Sequence, residues 1–179
     1  MDEFLEELAF SDEKLEFFEG RIVAFAGGSV VHGALCTRLI VRFHAASREG
    51  CGTYTSDVAV AVGTDAYVFP DVSYSCEPVV SSSRALVRPS VVVEVISPHS
   101  GRRDRIEKLR AYGRLTSLEE YLLVDSLARS ITVFARRPEG GFSQRDFLSD
   151  DDLVALDSLE VRFTLRELYA GLDVPAPLP

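Results

Sequence analysis

No stretch of this sequence approaches the ~20 consecutive apolar residues that a membrane-spanning helix needs. Its start, Met1-Asp2-Glu3, is acidic and lacks the basic-then-apolar order of a secretory signal. Both absences lead to the expectation of a cytoplasmic protein with no membrane association. Cysteine is scarce. Cys36, Cys51 and Cys76 are odd in number, widely spaced and form no CxxC pair, so their spacing predicts neither a disulfide framework nor a zinc site. The histidines, His32, His44 and His99, show no i, i+4 spacing among themselves. Positive charge is also in short supply. The formal net charge is −9, which argues against strong nonspecific binding to a polyanion. No internal repeat or linker divides the chain.

What is present is an ordinary globular composition. The 179 residues, 46% apolar and 26% charged, fit one domain able to bury roughly two-thirds of its unfolded surface. That domain is expected over residues 1–174, with a proline-rich tail at 175–179. The charge is unevenly spread. Residues 101–114 hold six basic residues, Arg102, Arg103, Arg105, Lys108, Arg110 and Arg114, against Asp104 and Glu107. Elsewhere 13 basic residues face 26 acidic ones, so one positive segment stands on an acidic body.

Periodicity and breakers predict a short amphipathic helix at 2–9 and a hairpin over 16–24, turning at Glu19-Gly20. After Gly27-Gly28, Ser29 can cap a helix over 30–48. Two strands follow at 53–62 and 67–75, then a polar loop at 76–89. The run at 90–96 is β-branched and apolar except for one residue, and reads as a strand buried on both faces. A turn at 97–101 leads to a basic helix at 103–115 and a second buried strand at 120–125. The crossover between these strands predicts a parallel, right-handed βαβ unit. A meander at 130–137 and 142–148, a strand at 160–163 and a helix at 164–171 complete a mixed α/β sheet.

The exception in the buried run is Glu94. A carboxylate there loses its hydration, so it must be paired, neutralised or bound to a metal. Asp71, after Pro70, would lie near the same end of the neighbouring strand. Two converging carboxylates can hold a hard cation such as Mg²⁺ or Mn²⁺, with the backbone carbonyl of Val95 as a third oxygen. Such an ion polarises a phosphoryl oxygen and lowers the pKa of bound water. Lys108 can orient that water or stabilise developing charge. Asp104 and Tyr112 stand at i−4 and i+4 from it, on the same helix face. Arg102, Arg103 and Arg105 are suited to gripping a phosphate backbone.

The order Pro70-Asp71, Glu94-Val95-Ile96, Lys108 resembles the PD-(D/E)XK nuclease superfamily, specifically its large bacterial branch of small stand-alone restriction endonuclease homologues. Further matching segments are Leu15-Glu16-Phe17-Phe18-Glu19-Gly20-Arg21-Ile22, Gly27-Gly28-Ser29 with His32, Ser56-Asp57-Val58, Phe69-Pro70-Asp71-Val72, Glu94-Val95-Ile96-Ser97-Pro98, and Asp104…Lys108…Tyr112. The resemblance covers roughly residues 14–170. The resemblance implies a restriction-endonuclease-like fold (α/β, or α+β), a mixed central sheet flanked by helices in the order αβββαβ, with an N-terminal hairpin and a C-terminal β-meander. It also implies Mg²⁺-dependent cleavage of DNA without an organic cofactor. Glu16 then supports the metal or its lysine, with Asp57 and His32 in lesser supporting roles. The superfamily's usual lysine position, two residues after the acid, holds Ile96. In this branch its role moves to Lys108.

Each residue also has a plainer reading. Glu94 could be half of a buried ion pair with an arginine, Asp71 a turn residue, Lys108 a solvated lysine, Glu16 an exposed strand residue and His32 a packing histidine. The competing function is a nucleic-acid-binding or regulatory module that keeps the fold without turnover. One basic helix on an acidic protein suggests a homodimer as the unit that grips duplex DNA.

Overall fold

Two sheets share the segment between residues 52 and 75, and the crossing between them is what sets Asp71 in place. The computed structural model describes residues 14–18, 21–25, 28–64, 66–96 and 107–177. The helix expected at 2–9 lies outside these, as do the turn at 97–101 and Arg102, Arg103, Asp104 and Arg105.

The expected hairpin is present: Lys14–Phe18 (β1) pairs antiparallel with Arg21–Phe25 (β2), Glu16 opposite Val23. Helix Val30–Ala45 (α1) follows, its first turn capped by Ser29, whose Oγ accepts the His32 N–H at 3.2 Å. That bond satisfies one of the orphan donors at the helix start. Leu35, Leu39 and Phe43 recur at four-residue spacing and are wholly buried against the central sheet.

The strands expected at 53–62 and 67–75 are each broken in two. Gly52–Thr55 (β3) ends in a turn where the Val58 N–H donates to the Thr55 carbonyl, and Ala59–Val62 (β4) resumes in a different sheet. Ala66–Val68 (β5) pairs with β4 and β1, and beyond Pro70 the strand Val72–Ser75 (β6) enters the central sheet. Proline has no N–H for a ladder, so the chain changes partners there. Alternation persists through both breaks, so a period-2 pattern alone reads straight across them.

Ala85–Leu86 (β7) closes the five-stranded sheet, ordered β2-β1-β5-β4-β7. Pro89–Ile96 (β8), Glu120–Asp125 (β9), Ile131–Arg136 (β10) and Phe142–Phe147 (β11) build the six-stranded central sheet, ordered β11-β10-β9-β8-β6-β3. β8 and β9 run parallel, as the crossover requires, and the short helix Leu109–Gly113 (α2) lies between them in sequence. Counting only central strands and their helices, the order is α1, β3, β6, β8, α2, β9, the anticipated helix-strand-strand-strand-helix-strand. A final hairpin, Leu153–Leu156 (β12) with Val161–Thr164 (β13), leads to helix Leu165–Tyr169 (α3). Val174 is buried and the Pro175 carbonyl accepts the Arg129 N–H.

β8 is covered on both faces. Val91, Val93 and Val95 pack with α1, whereas Val92 and Ile96 pack with Ala111, Tyr112, Leu115 and Tyr121. Each fully buried valine stabilises the fold by roughly 1.5–3 kcal/mol relative to exposure. By strand period Glu94 belongs to the Val92 face, toward α2.

Cys51 and Cys76 form a disulfide, contrary to the expectation from their spacing. The register explains it. β3 and β6 pair with Gly52 opposite Ser75, so one step further out Cys51 meets Cys76. A separation of 25 residues hides that adjacency in the sequence. Cys36 remains a free thiol.

Candidate metal-dependent active site

Glu94 is 2% exposed, and two donors converge on its Oε1: Lys108 Nζ at 2.7 Å and the Tyr112 hydroxyl at 2.8 Å. Lys108 immediately precedes α2 and Tyr112 follows four residues later, so one helical face presents both to β8. Among the described residues, the buried partners of Glu94 thus include a lysine and a tyrosine. Lys108 Nζ also lies 3.2 Å from Glu16 Oε1. Glu16, 1% exposed on β1, accepts the Phe69 N–H at 3.0 Å through the same oxygen. This bond fastens the N-terminal hairpin to the residue before Pro70-Asp71. Burial, with Glu94 beside it, holds the Tyr112 phenol well above its usual range, so it stays a donor.

Asp71 stands one residue before β6. Extending the Val72–Val93 pairing by one step sets it across from Glu94, as anticipated. Its Oδ2 accepts the Val95 N–H at 2.7 Å, and its Oδ1 lies 3.1 Å from His32 Nε2. The hydrogen bond to Asp71, assisted by one to Cys36 and opposed by burial, pushes the His32 pKa up to about 10. His32 is thus charged at neutral pH and pairs with Asp71. The ring fits because residue 28 is glycine: a Cβ there would lie 2.5 Å from His32 Cγ and Cδ2.

The structure thus brings together Glu16, Glu94, Lys108 and Tyr112 in one group, and His32 and Asp71 in another, joined through the paired strands. Asp57 is exposed in the β3–β4 turn, where its carboxylate accepts the Thr55 hydroxyl at 3.0 Å. The sequence reading missed Cys36. It sits four residues after His32, a spacing that puts both on one face of α1. Spacing among the histidines alone does not reveal it. Among the described residues, His32, Cys36 and Asp71 form a group whose ligand atoms all lie within 4.8 Å of one another.

The donor chemistry suits a divalent cation. Asp71 and Glu94 offer carboxylate oxygens from paired strands, and both are almost excluded from water. Glu94 holds Lys108 in hydrogen-bond contact, so a cationic donor is already positioned beside any ion those carboxylates take.

The chain matches the family model described as "Uma2: Putative restriction endonuclease" over residues 1–168. It is 33% identical to an uncharacterized protein of Synechocystis, slr1290, over 174 residues, 96% of this chain and 91% of that protein. A second uncharacterized Synechocystis protein, sll1609, is 30% identical over 129 residues, 69% of this chain and 72% of that one. The crystal structure of a putative nuclease belonging to DUF820 from Anabaena variabilis superposes with a TM-score of 0.77. It covers 94% of this chain and 96% of its own at 18% identity. That likeness establishes the restriction-endonuclease-like α+β fold anticipated from the motifs. No helix among the described residues is long and apolar enough to cross a membrane. Matched over nearly its whole length, the chain belongs to the Uma2 family of putative restriction endonucleases.

Proposed function

We propose that the protein is a Mg²⁺- or Mn²⁺-dependent endonuclease that hydrolyses phosphodiester bonds in DNA. The observation that carries this reading is the 2.7 Å contact between Lys108 Nζ and Glu94 Oε1, on a strand paired with the one Asp71 precedes. Asp71 and Glu94 hold the ion, with the Val95 carbonyl as a further oxygen. The ion supplies polarisation of the scissile phosphoryl group and acidifies a bound water. Lys108 orients the attacking water and faces the charge that develops on the phosphate. Glu16 and Tyr112 position Lys108, Glu16 by direct contact and Tyr112 by sharing Glu94 Oε1. Asp104, at i−4 from Lys108, is assigned the same role. Arg102, Arg103 and Arg105 contact the DNA backbone, and a homodimer supplies two such basic segments to one duplex.

The test is cleavage of supercoiled plasmid with Mg²⁺ or Mn²⁺ by the wild type, Asp71→Ala and Glu94→Ala. Cleavage by the wild type alone, with all three proteins folded by circular dichroism, supports the assignment. Cleavage that survives both substitutions overturns it. Ile96, in the place of the superfamily's usual lysine, favours a second reading, a nucleic-acid-binding or regulatory module without turnover. Its signature is salt-sensitive binding that is indifferent to Mg²⁺ and yields no product.

A further inference from the structure

We propose that His32, Cys36 and Asp71 form a second metal position, on the α1 side of Asp71, that takes a borderline transition ion of the zinc or cobalt kind in preference to Mg²⁺. The argument begins with the donors. One imidazole nitrogen, one thiol sulfur and one carboxylate oxygen lie mutually within 4.8 Å, compact enough to close on one ion with bonds of roughly 2.0–2.3 Å. Mg²⁺ demands oxygen and sheds water reluctantly, whereas thiolate and imidazole favour zinc and its neighbours. Three protein ligands leave one tetrahedral position open, the arrangement of catalytic rather than structural zinc sites.

The three donors are also held in place beforehand. His32 and Cys36 are successive turns of α1, and Ser29 fixes the start of that helix. The Val95 N–H anchors Asp71 through its other oxygen. Gly28 leaves the space that the His32 ring occupies. The site lies on the face of β8 opposite Glu94, because α1 packs with Val91, Val93 and Val95. Asp71 alone belongs to both donor sets. The inference shares that residue with the nuclease reading but does not rest on cleavage.

Ligation needs a thiolate and an unprotonated imidazole nitrogen, so metal binding releases protons from this pair. Cys51 and Cys76 are bridged, which makes Cys36 the one thiol available to a metal.

The experiment is a Co²⁺ titration of the full chain with its disulfide intact, followed by absorption spectroscopy. A thiolate-to-cobalt charge-transfer band saturating at one equivalent is expected. Zn²⁺ should abolish it, excess Mg²⁺ should leave it, and Cys36→Ser should lose it while keeping the metal-free melting curve. If Cys36→Ser fails to fold, the wild type decides alone: Zn²⁺, but not Mg²⁺, should slow alkylation of Cys36 by iodoacetamide. A wild type without the band, a band that persists in Cys36→Ser, or alkylation indifferent to Zn²⁺ would overturn the proposal. None of these readouts depends on DNA cleavage, so this inference and the nuclease reading fail separately.

Discussion

Lys108 and Glu94 meet at 2.7 Å with side chains only 2% and 3% exposed, and Glu16 approaches the same ammonium from another sheet at 3.2 Å. A pair so placed gains little net stability over an apolar substitute, yet breaking it strands a charge in a dry interior.

Lys108→Met should therefore destabilise the protein by about 3–5 kcal/mol. Adding Glu94→Gln should restore part of the loss, with a coupling of about 0.5–3 kcal/mol between the sites. Urea denaturation of the wild type, both single variants and the double variant measures this directly. Simple additivity would mean that the contact does not hold in solution.

Reduction of Cys51–Cys76 should lower stability by about 3 kcal/mol, since the bridge closes a loop of 25 residues in the unfolded chain. Denaturation with and without a phosphine reductant, and of a Cys51→Ser, Cys76→Ser double variant, should agree with each other. No change on reduction would show the thiols already free. A cytosol keeps thiols reduced, so the measured redox state of this pair also tests the cytoplasmic location expected from the sequence.

Glu120→Gln should stabilise the protein at neutral pH. Burial raises the Glu120 pKa above its ordinary 4.5, against hydrogen bonds from the Ser158 hydroxyl and the Asp157 and Ser158 backbone. A carboxyl whose folded pKa is raised contributes stability that is fully present below the unfolded value and lost as pH rises through the folded one. Gln keeps an acceptor for the Asp157 N–H, and the Ser158 hydroxyl can turn to meet its amide. The variant's advantage in melting temperature should shrink as pH falls through the raised folded pKa and be gone below the unfolded value of 4.5. An advantage that is absent at pH 7, or independent of pH, counts against the burial argument.

The strand holding Glu94 was legible because both its faces are apolar, and a lone acid in such a run has few explanations. The αβββαβ order was legible for the same reason: buried strands and an amphipathic α1 announce themselves through periodicity. The breaks at Thr55 and Pro70 were not, because a strand that changes sheets keeps its alternation. Nor was the disulfide, which depends on the Gly52–Ser75 register, a property of two strands together. Cys36 was missed by a narrower fault. Its i, i+4 relation to His32 is visible in the sequence, but nothing there showed Asp71 arriving beside them.

Glu16, Asp71 and Glu94 all precede Lys108 along the chain. As synthesis proceeds from the N-terminus, these acids emerge before the ammonium that joins two of them. Until Lys108 appears, closing the first hairpin onto the central sheet would press Glu16 and Glu94 together without a counter-charge, and water would hold them apart. The lysine assigned to chemistry would then also time assembly, acting as a late clasp that lets the two sheets meet only once the helix after β8 has been made.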